Sequence, residues 1–151
     1  MMDSFADEML KLATNETWEN LKYIVKHKYH LYTGGREIDL PRLQLLAHDL
    51  SKFRPSEFIP YKHFFWGEQT PGVAKDFKDA VRNHYSRNPH HKEYHSGKMP
   101  LKNQLEMIAD WYSAGRTQGT HRFKSFRSWY KKNRDKLPID ESVKSEIDSR
   151  L

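Results

Sequence analysis

The sequence predicts an all-α protein. No stretch alternates polar and apolar residues with period two for long, and β-branched residues are scarce. Apolar residues instead recur at spacings of three and four, which is typical of amphipathic helices. The 151 residues fit one domain with one hydrophobic core. We therefore expect a compact single-domain helical bundle over residues 1–151, with its core in residues 15–134.

Capping and breaking residues divide the chain into successive helices. The first long helix should begin at Thr14 or Asn15 and end at Gly34 and Gly35, because glycine commonly ends helices. Asp39 is expected to cap the next helix. The other expected helices are 4–12, one from Pro55 or Ser56 to Gly67 that is rich in aromatic residues, 71–86, 100–118, 120–133 and 140–150.

Helix 100–118 is predicted to be central because it is apolar over a wide arc. One apolar stripe is formed by Leu101, Leu105, Ile108 and Tyr112, and a second by Met107, Trp111 and Ala114. Asp110 lies within the second stripe. A carboxylate among apolar neighbours is costly to bury without a cation, so it favours either a metal ion or a paired Arg or Lys. The first long helix is likewise expected to have an apolar face, which is formed by Trp18, Leu21, Ile24, Val25 and Tyr32.

Composition excludes several classes of site and partner. The chain has no cysteine, so any metal must be held by His, Asp or Glu. No apolar run approaches the roughly 20 residues that a membrane span needs, and the acidic start MMDSFADEML is unlike a signal peptide, so we expect a cytoplasmic protein. The net charge of +6 allows a nucleic-acid partner, which the interleaving of acids and bases disfavours. It also suits a small anionic substrate.

The dipeptide His48-Asp49 is the first candidate metal site. It follows an apolar run, and imidazole with carboxylate suits ions such as Zn, Fe and Mn. The alternative is a helix end with a solvated Asp49 and a structural His48. Nine histidines are many for this length. His84 lies near the end of a helix, and His90 and His91 lie in the turn-rich segment 86–100, where binding residues are common.

Three separated blocks carry a family resemblance: HDLSKFRPSEFIPY at 48–61, RNPHHKEY at 87–94 and MPLKNQLEMIADWYSAGR at 99–116. With His27 before them, these blocks resemble the HD-domain superfamily of metal-dependent phosphohydrolases, and most closely a family of small uncharacterised bacterial and phage proteins of HD-like type. The resemblance covers nearly everything from His27 to Asn133. It implies an HD-like helical fold and hydrolysis of a phosphate ester, most plausibly of a nucleotide.

The resemblance also implies which residues form the site. One divalent ion would be held by His27, His48, Asp49 and Asp110. Asp49 would bridge to a second ion held by His84 and by His90 or His91, so we expect His84 and one of these two to line the same cavity beside Asp49. The catalytic residues would be Asp49 and Lys52, with Lys52 neutralising phosphate charge, and Arg87 and Arg116 are further candidates for substrate binding.

Two alternatives remain open at this point. His84 and His90-His91 are only one loop apart, whereas two-metal HD enzymes take these ligands from separate helices, so one or two ions are compatible with the sequence. The ions would be of the Fe, Mn, Zn, Co or Ni type. In function, the alternatives are an HD-type two-iron oxygenase and a non-catalytic, metal-stabilised binding protein.

Overall fold

The computed structural model describes residues 15–151, which form seven α-helices and no β-strand. The helices are α1 (Glu16–Arg36), α2 (Arg42–Ala47), α3 (Pro55–Trp66), α4 (Pro71–Arg87), α5 (Leu101–Gln118), α6 (Phe126–Asn133) and α7 (Glu141–Arg150). Short 3₁₀ turns occupy Leu50–Phe53, Lys92–Tyr94 and Arg134–Lys136. The all-α prediction is confirmed for these residues. The helix expected over 4–12 lies outside them.

The chain divides into two compact units, and α1 contributes to both. The described part of the first unit comprises residues 15–25 and 50–85, and the second unit comprises 26–49 and 86–151. That residues 1–151 form a single domain stays a prediction. Among the helices described, none is long and apolar enough to cross a membrane.

Aromatic side chains hold the first unit together. Phe64 of α3 stacks on Phe77 of α4 with ring centroids 3.9 Å apart, and Tyr61 meets Phe77 edge to face at 5.0 Å. Further ring contacts join Tyr23, Phe65 and Trp66. These contacts pack α3 against α4, and the two helices carry the buried side chains of Glu57 and His84.

Helix α5 lies at the centre of the core of the second unit. Leu105, Ile108, Ala109 and Tyr112 are each 1% exposed or less. They pack with Leu31, Ile38, Leu40, Leu45, Phe126, Trp129, Tyr130, Val143 and Ile147. The expected position of this helix is therefore confirmed, although Leu101 is 41% exposed and the buried stripe begins one turn later.

The expectation that Gly34 and Gly35 end the first helix is wrong, because α1 continues to Arg36. A Cβ on Gly34 would lie 2.8 Å from the ring of Tyr112, and one on Gly35 would overlap Leu45. Both glycines therefore serve close helix packing, in which the absence of a side chain lets α1 approach α5 and α2.

The buried face of α1 differs in part from the expected one. Ile24 is 3% exposed, as expected, but Trp18 and Val25 are 58% and 61% exposed. The buried positions along this helix are Asn20, Ile24, His27, His30 and Leu31. Because this face mixes polar and apolar residues, a search for the most apolar stripe finds Ile24 but wrongly includes Trp18 and Val25.

Helix α6 begins at Phe126 rather than at residue 120. The hydroxyl of Ser125 accepts a hydrogen bond from Ser128 N, as an N-cap does. The carboxylate of Glu37 accepts from Phe126 N and Arg127 N at 2.9 and 3.0 Å. These two acceptors satisfy the free N–H groups of the first turn and fix the start of the helix.

Candidate metal centre

Four residues from three parts of the second unit converge on one point. His27 lies in α1, His48 and Asp49 follow the end of α2, and Asp110 lies in α5. One ligand atom from each lies within 4.8 Å of the others. His27 Nε2 is 3.0 Å from Asp110 Oδ1 and 3.6 Å from Asp49 Oδ2. His48 Nε2 is 3.4 Å from each of the same two carboxylate oxygens.

These separations fit the ligand shell of a divalent ion. Ligand atoms about 2.0–2.2 Å from an ion lie about 3.0 Å apart at a 90° angle and about 3.4 Å apart at a tetrahedral angle. His48 Nε2 is buried and makes no hydrogen bond of normal geometry with the residues described. The donor set, two imidazoles and two carboxylates, suits a transition metal. This group could therefore hold a metal ion.

Burial makes the cluster depend on charge compensation. His27, His48 and Asp49 are 2–3% exposed, and the Asp110 side chain is 16% exposed. Buried carboxylates need a cation or a proton close by. Burial opposes ionisation of Asp110, but the neighbouring imidazoles of His27 and His48 hold its pKa well below the usual value. For His48, burial opposes the charged form, but the charge of Asp49 and the close Asp110 and Glu106 carboxylates raise the pKa well above the usual value. The cluster thus favours positive charge at its centre.

The backbone at Asp49 has a left-handed conformation, with φ +56°. Few residues other than glycine adopt it, although Asp and Asn do so more readily than most. The preceding turn is anchored, because His48 N donates to Gln44 O at 3.0 Å. Lys28 Nζ donates to the carbonyl oxygens of Leu46 and His48. The strained residue is therefore held in place so that the side chains of His48 and Asp49 both face the cluster.

A glutamate orients His48. Glu106 Oε1 lies 2.8 Å from His48 Nδ1, and Gln44 Nε2 donates to the other oxygen of the same carboxylate. Metal-binding histidines commonly use their second nitrogen in this way, which fixes the tautomer and the ring orientation. In neutral His48 the proton therefore sits on Nδ1, and Nε2 presents a lone pair to the cluster.

A serine orients His27 by the same principle. Ser113 Oγ donates to His27 O at 3.0 Å and lies 2.7 Å from His27 Nδ1. A hydroxyl has one proton, so with that proton directed to the carbonyl it must accept from Nδ1–H. In neutral His27, both contacts are satisfied together only when Nε2 carries the lone pair, and Nε2 is the atom that faces Asp110.

His90 adjoins the cluster on the second oxygen of Asp49. Its Nε2 is 3.2 Å from Asp49 Oδ1, and its ring lies 4.0 Å from that of His48. His91 is half-buried, and its ring lies 4.2 Å from that of His90. His48, His90 and Glu106 form a further group that could hold an ion. Asp49 thus directs one oxygen to His27 and His48 and the other to His90.

A pocket of about 570 Å³ opens beside these residues within the second unit. Its wall includes Gln44, Ala47, His48, Asp49, Asn88, Pro89, His90, Tyr94, His95, Pro100, Lys102, Asn103 and Glu106. Asn103 Nδ2 and His95 Nε2 both donate to Pro89 O, at 2.9 and 2.7 Å, and so anchor the loop that carries His90. The pocket therefore gives access to the His90 side of Asp49.

His84 lies in the first unit, where it is 2% exposed. Its Nδ1 is 2.9 Å from Glu57 Oε2, and Ser51 Oγ donates to the same oxygen at 3.0 Å. The pairing of a buried histidine with a buried glutamate matches that of His48 with Glu106. That His84 lines a common cavity with His90 or His91 and holds a second ion stays a prediction.

The three expected substrate-binding cations have different surroundings. Lys52 lies in the first unit, with its ammonium 5.7 Å from the ring centroid of Tyr61. Arg87 is exposed. Arg116 donates to Tyr112 Oη at 2.8 Å and to Phe123 O at 2.7 Å, so its guanidinium already supports the fold. Their roles in binding substrate stay predictions.

Sequence reasoning missed two residues of this centre, Glu106 and Ser113. Both lie on the face of α5 that carries Asp110, at positions i−4 and i+3 from it. Helical spacing was the signal that could have found them, because residues three or four apart share a face. Glu57, the partner of His84, gave no comparable signal because it lies in a different helix.

The chain belongs to a family of unknown function, DUF5662, whose model matches residues 16–151. No curated protein and no solved structure matches the chain.

Proposed function

We propose that this protein is a metal-dependent phosphohydrolase that hydrolyses a phosphate ester, most plausibly of a nucleotide. One observation carries the proposal: His27, His48, Asp49 and Asp110 present their ligand atoms to one point at separations of 3.0–3.6 Å, next to an open pocket. The resemblance to HD-type phosphohydrolases assigns the same four residues to one ion. Family membership carries no activity with it, so the chemistry rests on the site.

In this proposal, residues of the second unit have different roles. His27, His48, Asp49 and Asp110 hold the ion, and Glu106 and Ser113 keep the two imidazoles in the tautomer that can bind it. A divalent ion in such a site polarises a phosphoryl oxygen and lowers the pKa of a water molecule from about 15.7 toward about 7. Asp49 Oδ1 and His90 face the pocket, where they can orient a water molecule or a second ion.

The substrate class follows from charge. The protein has a formal charge of +6, which attracts anions over distance. The positive net charge is combined with hydrogen-bonding side chains of the pocket wall, which include Asn88, Tyr94 and His95. A phosphate ester supplies the anionic oxygens that a bound cation requires, and a nucleotide supplies polar groups for the remaining wall.

The first experiment measures metal content and phosphate release on the same protein. The protein is purified without chelator and analysed for Mn, Fe, Co, Ni and Zn. Phosphate release is then measured from nucleoside mono-, di- and triphosphates and from bis-p-nitrophenyl phosphate. We expect bound metal and turnover in the wild type, and loss of both in Asp110→Asn. The matched control is Asp76→Asn, which neutralises an exposed carboxylate on α4 and should change neither.

Each alternative function has its own outcome in this experiment. Bound iron with oxygen consumption and no phosphate release would replace hydrolysis by oxygenase chemistry. Bound metal with neither reaction would favour a metal-stabilised binding protein. Full metal content in Asp110→Asn would remove the proposed ligand set.

A further inference from the structure

Lys102 is the formally cationic residue among those that line the pocket beside the metal centre. It lies in the first turn of α5, and its neighbours Pro100 and Asn103 line the same pocket. Gln44 Nε2 donates to Lys102 O at 3.3 Å and also to Glu106, so one amide ties the backbone at Lys102 to the buried glutamate. The position of Lys102 at the pocket wall is therefore fixed by the same contacts that orient His48.

One face of α5 places Lys102 at a defined distance from the centre. Lys102, Glu106 and Asp110 follow one another at intervals of four residues. A helix rises 1.5 Å per residue, so the Cα of Lys102 lies about 6 Å along the axis from that of Glu106 and about 12 Å from that of Asp110. The long, flexible side chain of Lys102 can extend toward the pocket, which brings its ammonium closer to the metal centre than its Cα is.

The ammonium of Lys102 is available for a ligand. Glu106 lies one turn away but is occupied by His48 and Gln44, and across residues 15–151 no ion pair involves Lys102. Arg116 is engaged with Tyr112 and Phe123, and Arg87 does not line this pocket.

We propose that Lys102 binds a second anionic group of the substrate, while the ester group that reacts lies at the metal centre. This inference rests on the proposed function. It assigns the substrate class as phosphate esters with a second phosphate beyond the reacting one, such as nucleoside di- and triphosphates. A monophosphate at the centre would leave the ammonium unused, whereas two or three linked phosphates can extend from the centre toward Lys102. The positive end of the α5 dipole lies on the same side and also favours an anion there.

The test compares the specificity of Lys102→Ala, Lys102→Arg and Lys98→Ala with that of the wild type. Lys98 is an exposed lysine of the same unit that does not line this pocket, so it is the matched control. For nucleoside di- and triphosphates, Lys102→Ala should raise KM and lower kcat/KM by about 10–100-fold, the range expected for one charge-assisted hydrogen bond. For nucleoside monophosphates, kcat/KM should stay within about twofold, and Lys102→Arg should restore most of the preference.

A binding measurement separates this inference from the proposed function. Inorganic triphosphate is titrated calorimetrically into metal-loaded wild type and metal-loaded Lys102→Ala. We expect the variant to bind triphosphate more weakly than the wild type does. If turnover is present, is lost in Asp110→Asn, and yet shows the same di- to monophosphate preference in Lys102→Ala, the inference fails and the hydrolase proposal stands. If no ester is hydrolysed but triphosphate binding depends on Lys102, the anion site stands and hydrolysis is overturned. Equal binding by both proteins overturns the anion site.

Discussion

Glu106 Oε1 lies 2.8 Å from His48 Nδ1, and both side chains are buried. The other carboxylate oxygen accepts from Gln44 Nε2, so both oxygens of Glu106 serve as acceptors. A glutamine at this position has only one acceptor oxygen and cannot satisfy both partners. We therefore predict that Glu106→Gln lowers metal affinity about 10–100-fold, which is typical for loss of a carboxylate behind a metal-binding histidine.

Calorimetric titration with Co²⁺ or Mn²⁺ measures this effect, and circular dichroism checks that helix content is retained. Glu93→Gln is the control, because Glu93 is an exposed glutamate of the same unit. Unchanged affinity in Glu106→Gln would mean that the carboxylate supports packing and not the metal site.

Ser113 holds His27 through two contacts, at 2.7 Å from Nδ1 and 3.0 Å from the backbone oxygen. Ser113→Ala removes one oxygen and leaves a buried ring nitrogen without this acceptor. We expect a loss of about 1–3 kcal/mol in the free energy of unfolding, together with weaker metal binding, because the tautomer of His27 is no longer selected. Chemical denaturation and metal titration measure the two effects. Ser149→Ala, at an exposed position in α7, should show neither.

The helices could be predicted largely because their signals are local. Pro55, Pro71 and Gly67 mark ends that the structure reproduces, and the period of the apolar residues identifies α5. Gly34 and Gly35 misled the prediction, since their role depends on Tyr112 and Leu45, which come much later in the chain or in the next helix. A glycine therefore indicates the end of a helix only where no other helix packs against it.

The candidate site was predictable only in part for a similar reason. The resemblance placed His27, His48, Asp49 and Asp110 together, and the structure brings the same four side chains to one point. It gave no role to Glu106, because the partner of His48 is decided by how α2 packs against α5. The strained backbone of Asp49 is equally absent from any residue pattern.

Gly34 offers a test of close packing between α1 and α5. A Cβ at this position would lie 2.8 Å from the ring of Tyr112, which is itself 1% exposed and cannot move freely. Overpacking costs about 1–3 kcal/mol, and the better helix propensity of alanine offsets roughly 0.5–1 kcal/mol. Gly34→Ala should therefore unfold at a lower temperature than the wild type. Gly97→Ala is the control because nothing lies within 4 Å of its added Cβ, and a fully stable Gly34→Ala would show that the helices can separate at no cost.

Asp49 is a proposed metal ligand and also has a left-handed backbone conformation. Two substitutions distinguish the effect of losing the ligand from the effect of the backbone conformation. Asp49→Asn and Asp49→Ala should both lose metal and phosphate release. In chelator, however, Asp49→Ala should be less stable than Asp49→Asn by about 1–2 kcal/mol, because alanine tolerates positive φ poorly. Asp39 has the same φ of +56° at an exposed position. Asp39→Ala should be less stable than Asp39→Asn by a similar amount, while both variants keep their full metal content. Full turnover in either Asp49 variant would contradict the proposed role of Asp49.

The last prediction concerns pH. Without metal, burial opposes the charged form of His48, but the negative charge of Asp49 and the close carboxylates of Asp110 and Glu106 outweigh it and raise its pKa well above 6.5. A pKa that is higher in the folded state stabilises the fold below about pH 6.5, and this contribution is lost as pH rises through the folded value. Metal binding has the opposite dependence, because the ion must displace the proton from His48.

We therefore expect chelator-treated protein to lose stability as the pH rises above about 6.5, while the stabilisation conferred by a saturating divalent ion grows over the same range. Thermal unfolding with chelator and with Mn²⁺ at each pH measures both slopes. His48→Gln should flatten both, because glutamine does not titrate. A metal-induced rise in Tm that stays constant across this range in the wild type would exclude His48 as a ligand that exchanges a proton for the ion.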